Sequence, residues 1–124
     1  RFTEIRVPPF PLSLKSLGLF GGAKPRAAWA GVAPSEPLTR LQAKLDHAAR
    51  SAGIETESRR FTPHVTLGRF RPPGLEATMR LERAVVEQGG FRAGPMRVRG
   101  YVLYESLRAG ETMRYEALAR YPLV

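Results

Sequence analysis

A short run of the sequence places a histidine, a threonine and an arginine at spacings that suit chemistry on a phosphate. In an extended strand, successive side chains point to opposite faces, so His64 and Thr66 would project together. A group that can accept or donate a proton would then stand beside a hydroxyl that can hydrogen-bond an anionic oxygen. Arg69 follows within reach of an anion held by Thr66. We therefore predict a phosphate site on this strand, with Val65 and Leu67 facing a core on the other side.

The same residues also have an ordinary structural explanation. A single histidine on a strand is more often a packed or surface residue than a catalytic one, and threonine is common in strands. Taken as isolated residues, His64 and Thr66 leave both interpretations open.

The hydrophobic pattern predicts the elements that must position this strand. The predicted strands are residues 10–20, 27–32, 61–70, 97–106 and 112–121, the last two joined as a hairpin. Leucines and alanines at helical spacing predict a helix between a candidate N-cap at Ser35 and a stop at Gly53. A weaker pattern predicts a second helix over residues 75–88. Strands outnumber helices and helices interrupt them, which predicts an α+β fold with mostly antiparallel sheet.

Composition limits the classes of function. The chain has 124 residues, and its 20 Lys and Arg against 11 Asp and Glu give a net charge of +9. That excess favours RNA or DNA as a partner, although genome composition could produce the same bias. With no cysteine and 2 histidines, thiolate ligands and a His-rich zinc centre are excluded, so we expect no metal or other cofactor. No apolar run approaches the ~18 residues of a membrane helix, and the lack of cysteine fits a reducing compartment such as the cytoplasm.

The segment around His64 carries a recognisable motif, Phe61-x-Pro63-His64-Val65-Thr66-Leu67-Gly68-Arg69. It resembles the second His-x-Thr-x motif of the two-histidine (2H) phosphoesterases, and within them the RNA 2′,3′-cyclic phosphodiesterases, formerly called 2′-5′ RNA ligases. Other segments follow that family's order along nearly the whole chain. They are Leu17-Gly18-Leu19-Phe20, Pro25–Val32, the helix with Leu41 and Leu45, and Val102-Leu103-Tyr104-Glu105-Ser106.

The sequence departs from that family in one respect. The family carries two His-x-Thr-x motifs, one in each half of a two-lobed fold, and this sequence contains only the second. His47 lacks the threonine two positions later and lies on the polar face of the first predicted helix. Because the sequence also begins at Arg1 without an initiating methionine, we expect the first motif upstream of Arg1. Residues 1–124 would then form a single, N-terminally incomplete 2H phosphoesterase domain.

The resemblance implies a reaction and roles for three residues. It implies metal-free hydrolysis of a 2′,3′-cyclic phosphodiester at an RNA or oligonucleotide end, with 2′-5′ ligation as the reverse direction. His64 would accept a proton, Thr66 would hold a non-bridging oxygen, and Arg69 would contact the phosphate or the ribose.

Further residues are candidates for binding the substrate. Phe61 and Trp29 could stack a base, although aromatic residues in so small a protein often serve packing. Arg26 and Lys24 could form a basic rim that guides RNA, or could simply be solvated. Tyr104 is expected in the core.

Two other functions stay open at this point. One is a 2H relative acting on another nucleotide phosphodiester, such as a 2′-5′ oligoadenylate linkage. The other is a non-catalytic RNA-binding domain on the same scaffold. We expect a monomer in each case.

Overall fold

The computed structural model describes residues 2–56, 60–110 and 112–124, apart from the side chain of Thr3. Within these residues a 3-10 turn, Phe2–Glu4, precedes six strands and two helices. They are β1 (Phe10–Phe20), β2 (Ala27–Val32), α1 (Glu36–Ser51), β3 (His64–Arg69), α2 (Leu75–Glu87), β4 (Arg92–Val98), β5 (Gly100–Ala109) and β6 (Thr112–Pro122). The predicted α+β class is confirmed.

The strands of the described residues form two sheets. One sheet has the order β3-β2-β1-β4, so β3 is an edge strand, and the other consists of β5 and β6. The pairs β1–β2, β2–β3 and β5–β6 are all antiparallel. Mostly antiparallel sheet, with helices between the strands, is therefore also confirmed.

Most predicted elements occur where hydrophobic periodicity placed them. β1, β2, α1 and α2 match their predicted ranges, while β3 is shorter than residues 61–70 because it begins only at His64. Helix α1 begins directly after Ser35. At its end Gly53 has φ +84° and its N–H donates to the Arg50 carbonyl at 3.0 Å. Glycine adopts that left-handed conformation without steric cost, which explains the predicted stop.

The predicted strand over residues 97–106 is wrong at its start. The structure splits this run at Arg99, and the preceding segment, β4, is a strand that the sequence analysis missed. β4 joins the four-stranded sheet, whereas β5 pairs only with β6. Gly100 lies so close to β6 that a Cβ there would stand 2.7 Å from the Tyr121 carbonyl oxygen. Periodicity within one continuous β-rich run does not reveal such a change of sheet.

The chain divides into two compact units. Unit 1 comprises Arg1–Pro11, Glu36–Ser58 and Arg97–Val124, and unit 2 comprises Leu12–Ser35 and Arg59–Met96. Unit 1 therefore contains α1 and the β5–β6 hairpin, and unit 2 contains α2 and most of the four-stranded sheet. Whether both belong to one incomplete domain, as the sequence predicts, stays a prediction.

Unit 1 is organised around a small apolar core and an aromatic cluster. Its buried apolar residues are Val7, Phe10, Leu41 and Leu123. In the cluster, the rings of Tyr101 and Tyr121 stack with centroids 5.0 Å apart, and Phe2 meets Tyr121 edge-on at 5.9 Å. The Tyr101 hydroxyl donates to the Phe2 carbonyl at 2.8 Å, which ties the N-terminal turn to the hairpin.

One core prediction in unit 1 is wrong. Tyr104 is 52% exposed. The β5–β6 register shifts between Leu103 and Tyr104, so that Leu118 is an extra residue on β6. That bulge alters the alternation of β6 but not that of β5. Residues 103–106 of β5 are exposed on both faces of this two-stranded sheet, and alternation along one strand does not reveal whether anything covers either face.

Unit 2 packs small residues closely together. Ala27 and Ala30 are buried, and Thr78 of α2 is also buried, with its hydroxyl donating to the Pro73 carbonyl at 3.3 Å. Neither helix in the described parts of the chain is long and apolar enough to span a membrane.

Candidate active site

Strand β3 brings the predicted catalytic pair to one face of the sheet. In the antiparallel register, His64 is opposite Gly31 and Thr66 is opposite Trp29. Directly opposed residues in a ladder point to the same face, and Gly31 and Trp29 are two positions apart on β2. His64 and Thr66 therefore share a face with Trp29. The imidazole is exposed and Thr66 is half-buried.

A bulge in β3 returns Arg69 to this same face. The register advances by two residues on β3 but by one on β2, which makes Leu67 the extra residue. Arg69 consequently pairs with Ala27, which lies on the same face of β2 as Trp29. In a regular strand, Arg69 would point away from His64 because their positions differ by an odd number. The bulge at Leu67 therefore places Arg69 on the same face as His64, which regular alternation of side chains would not do.

The hydrogen bond of His64 defines which ring nitrogen carries its hydrogen. Nδ1 lies 2.8 Å from the Thr62 carbonyl oxygen. A carbonyl oxygen only accepts, so Nδ1 must donate, and the neutral ring then presents a free lone pair at Nε2. Gly31, directly opposite on β2, has no side chain to cover the ring. His64 is therefore arranged as a proton acceptor on an open surface.

An aromatic residue that the sequence analysis did not assign to the site supports the imidazole. The ring of Phe20 lies 4.9 Å from that of His64 at an interplanar angle of 77°, an edge-to-face arrangement. Phe20 is the last residue of β1, and the turn that follows, with Gly21 and Gly22, leads the chain back into β2. A phenylalanine immediately before a Gly-Gly turn that joins two strands is the one signal that could have found it.

The indole of Trp29 packs against neighbouring residues of the four-stranded sheet. Its ring lies 5.7 Å from that of Phe20 and rests directly on Gly18, where an added Cβ would collide with the indole. Its Nε1 is buried and has no hydrogen-bond partner among the residues that the structure describes. These contacts favour the packing explanation, and base stacking by Trp29 stays a prediction.

Phe61 and Arg26, the other two predicted substrate-binding residues, are both exposed. Phe61 is 41% exposed just before β3. Arg26 has an exposed side chain, and its carbonyl accepts a hydrogen bond from Phe70 N–H at 2.9 Å. The expectation that Val65 and Leu67 face a core is wrong, since they are 42% and 58% exposed. Leu67 is the bulge residue of an edge strand, so no neighbouring strand covers it.

The second histidine belongs to unit 1. His47 lines a pocket together with Arg40 and Lys44, as expected for one polar face of α1. The Lys44 ammonium donates to the Arg6 carbonyl at 3.0 Å. Because His47 lacks a threonine partner, these residues do not repeat the arrangement on β3.

Electrostatics distinguish the unit that carries the candidate site. Unit 2 contains ten Lys and Arg residues against three Glu, while unit 1 contains ten against eight Asp and Glu. Most of the net charge therefore belongs to unit 2. Within the described ranges, no group of three or more His, Asp or Glu side chains is arranged to hold a metal ion, and the expectation of metal-free chemistry stays a prediction.

Comparison with known proteins identifies the class to which this fold and site belong. The family model of the 2′-5′ RNA ligase superfamily matches residues 3–109. The chain is therefore a member of this superfamily, as the His-x-Thr motif indicated.

Two curated relatives carry the same name. The chain is 29% identical over 120 residues to the RNA 2′,3′-cyclic phosphodiesterase of Aeropyrum pernix, covering 95% of this chain and 67% of that protein. It is 30% identical over 124 residues to the RNA 2′,3′-cyclic phosphodiesterase of Geobacillus stearothermophilus, covering 94% of this chain and 36% of that protein. The chain thus spans only part of the length of its relatives.

Solved structures show the same fold. The crystal structure of Escherichia coli LigT complexed with 3′-AMP matches with a TM-score of 0.67 and 28% identity, covering 98% of this chain and 63% of that one. The same protein complexed with NADP⁺ matches with a TM-score of 0.64 and 28% identity, covering 98% and 62%. The chain accordingly corresponds to somewhat less than two thirds of LigT.

Proposed function

We propose that this protein hydrolyses the 2′,3′-cyclic phosphodiester at the end of an RNA or oligonucleotide, and that unit 2 supplies the proton acceptor. The observation that carries the proposal is the common face of His64, Thr66 and Arg69 on β3. The names of the relatives from Aeropyrum pernix and Geobacillus stearothermophilus support the same reaction.

The proposed role of His64 is to take a proton from the attacking water. Its Nδ1–H is held by the Thr62 carbonyl, so Nε2 faces the open side with its lone pair. Edge-to-face packing by Phe20 holds the ring plane. A fixed base contributes a factor of about 10²–10⁴ to the rate of such a proton transfer.

The proposed role of Thr66 and Arg69 is to bind the charged oxygens of the phosphate. The Thr66 hydroxyl donates a hydrogen bond to a non-bridging oxygen, and the Arg69 guanidinium compensates the negative charge that grows in the transition state. β-Sheet pairing fixes the backbone of both residues, which limits the reorganisation that binding requires.

Departure of the ribose oxygen requires a proton donor on the other side of phosphorus. We assign this acid to a first His-x-Thr motif expected upstream of Arg1, because His47 has no threonine partner. In the direction of 2′-5′ ligation the two imidazoles exchange roles, since each proton transfer runs backwards.

The nucleoside part of the substrate is assigned to residues around β3. Phe61 offers an exposed ring on which a base can stack, while Trp29 supports the sheet and Arg26 offers a charge for RNA. The complexes of Escherichia coli LigT with 3′-AMP and NADP⁺ support a site for ribose-bound phosphates. No cofactor takes part, and a monomer in the cytoplasm, consistent with the absence of cysteine, is the proposed working state.

The test is an analysis of RNA ends after incubation with the protein and any upstream part of its reading frame. An RNA ending in a 2′,3′-cyclic phosphate should be converted to a phosphomonoester, and His64→Ala should leave the cyclic end intact. Tight binding of the RNA with no conversion by the full reading frame would contradict the proposal and favour a non-catalytic RNA-binding domain. Preferential cleavage of 2′-5′ linked oligomers would instead favour the alternative nucleotide phosphodiester.

A further inference from the structure

We propose that one exposed face of the β5–β6 hairpin in unit 1 binds the bases of single-stranded RNA. We call this face, which is formed by Tyr104, Ser106, Tyr115 and Ala117, the tyrosine face. The proposal rests on the proposed function, because it takes RNA as the substrate, and it adds a site for bases to the site for the terminal phosphate.

The register of the hairpin places two tyrosines on this face. Tyr104 is opposite Ala117, and Ser106 is opposite Tyr115. Directly opposed residues point to the same face of a sheet, and so do residues two positions apart along a strand. Tyr104 and Tyr115 are therefore diagonal neighbours, separated by about 7–8 Å. At that separation each ring can stack on a different base.

Both rings are exposed. Tyr104 is 52% exposed and Tyr115 is 53% exposed. The other two tyrosines of the hairpin, Tyr101 and Tyr121, lie on the opposite face and stack on each other with centroids 5.0 Å apart. The hairpin therefore uses one pair of tyrosines for packing and leaves the rings of the other pair open to a ligand.

The charges of the hairpin are divided between its two faces. The register puts Arg108 and Arg120 on the tyrosine face. The two acidic residues of these strands, Glu105 and Glu116, are opposite each other on the other face. Within β5 and β6, the tyrosine face therefore carries positive charge and no carboxylate, and this charge complements the phosphodiester chain of a nucleic acid.

Aromatic rings and cations on one sheet face suit a single-stranded nucleic acid. Stacking on an aromatic ring tolerates any base, because every base presents a π-face. Aromatic side chains on an exposed antiparallel sheet stack two or three bases in one common class of RNA-binding domain. The tyrosine face has both components, so we assign it to RNA bases rather than to a protein partner.

The experiment measures affinity for a short single-stranded RNA with a 3′-phosphate end, using the protein with any upstream part of its reading frame. This RNA cannot be hydrolysed at its end, so binding is measured apart from turnover. Tyr104→Ala and Tyr115→Ala should each weaken binding by about 5–150-fold, because each removes one stack between a base and a ring. The slope of log affinity against log salt should not change, since no phosphate contact is lost.

Two control variants separate stacking from other roles of the hairpin. Tyr104→Phe keeps the aromatic ring and should retain the wild-type affinity. Leu103→Ala removes an exposed side chain from the other face and should also bind as the wild type does. Unchanged affinity in both tyrosine-to-alanine variants, or an equal loss in either control, would overturn the proposal.

A strand of the same length that lacks bases provides a second arm. The wild-type protein and the two tyrosine-to-alanine variants should bind this abasic strand with equal affinity, because none of them can stack on it. A loss of affinity that persists on the abasic strand would show that the tyrosines contact ribose or phosphate, and would overturn the base site.

Thermal unfolding provides the last readout. Because both rings are exposed, Tyr104→Ala and Tyr115→Ala should keep a melting temperature near that of the wild type. A decrease typical of core substitutions would show that another part of the protein covers this face, and would overturn the proposal. Failure of the wild type to hydrolyse a cyclic end would instead refute the proposed function, while the affinities of the variants would still decide the base site.

Discussion

The two units of this protein contain the same number of basic residues but differ in the number of acidic residues that accompany them. Unit 1 balances ten basic residues with eight acidic ones and buries Val7, Phe10, Leu41 and Leu123. Its exposed ion pairs join neighbours in the chain, as Arg50 with Asp46 at 2.8 Å and Arg114 with Glu116 at 2.6 Å. Most of its charges can therefore be satisfied within the unit.

Unit 2 has a much larger excess of basic over acidic residues than unit 1. Ten basic residues face three acidic ones, and its buried apolar side chains are small. Self-repulsion among like charges destabilises a folded unit unless a ligand of opposite charge offsets it. The difference in net charge makes unit 2 more favourable than unit 1 for binding an anionic ligand.

The largest expected effect is a loss of turnover, and it distinguishes His64 from His47. His64→Ala should lower the turnover of a cyclic-phosphate RNA by about 10²–10⁴-fold, because it removes the proton acceptor. Its melting temperature should stay near the wild-type value, since the ring is exposed. His47→Ala in unit 1 is the control and should retain full turnover. Substantial turnover in His64→Ala, or an equal loss in His47→Ala, would remove the functional distinction between the units.

The next effect tests the close packing of unit 2. Gly18→Ala should lower the free energy of unfolding by about 1–3 kcal/mol, because the new methyl group would collide with the Trp29 ring. Denaturant-induced unfolding measures it. Gly90→Ala is the matched control, since a Cβ at Gly90 meets nothing within 4 Å. Equal stability of both variants would show that the indole can move aside at little cost.

A smaller effect tests the aromatic cluster of unit 1. Tyr101→Phe should lower the free energy of unfolding by about 0.5–1.5 kcal/mol, because it removes the hydrogen bond to the Phe2 carbonyl. Thermal unfolding of both proteins at neutral pH measures this difference. RNA binding should be unaffected, because unit 2 keeps all its charges.

The same tyrosine predicts an alkaline loss of stability. Burial, reinforced by the neighbouring Tyr121, raises the pKa of Tyr101 above its ordinary value of 10.0. The unfolded chain therefore ionises first, so the stabilisation is complete below pH 10.0 and is lost as the pH rises through the raised pKa. Tyr101→Phe should lose less stability above that pH than the wild type. An identical alkaline decline in both proteins would contradict this assignment.

The smallest expected effect concerns one phosphate contact. Arg69→Ala should weaken RNA binding and make its salt slope shallower by about 0.7, because one contact to a single strand is lost. Arg114→Ala removes an exposed cation of unit 1, which is paired with Glu116, and should leave the slope unchanged. If the two substitutions had the same effect, RNA binding would reflect overall charge rather than the charge of unit 2.

The elements that sequence predicted well are those in which local pattern and tertiary environment agree. β2 and α1 occur where alternation, leucine spacing and the stop at Gly53 placed them. Most of β4 was missed because it contains Gly94 and Pro95, residue types that are depleted in strands, and its end was merged with β5 because residues 97–106 form one continuous β-rich run. No local signal distinguishes which sheet a strand will join.

The candidate site likewise combines features that the sequence predicted with features that it did not. The spacing of His64 and Thr66 was enough to predict that they share a face. The partner of the imidazole was not predictable, because Phe20 is distant in sequence and reaches the ring only through the pairing of β1 with β2 and of β2 with β3.

By itself, the sequence determined the superfamily, the α+β class, most strand and helix positions, and the placement of His64 and Thr66 on one face of a strand. The superfamily follows from the resemblance of the His-x-Thr segment to that family, and the other features follow from chemistry and periodicity within a few consecutive residues. Only the tertiary structure decided that Arg69 joins them and that the Thr62 carbonyl leaves Nε2 as the free nitrogen. The reason is physical: a bulge and the alignment of strands arise from contacts between distant segments, and the side-chain pattern of one strand does not specify them.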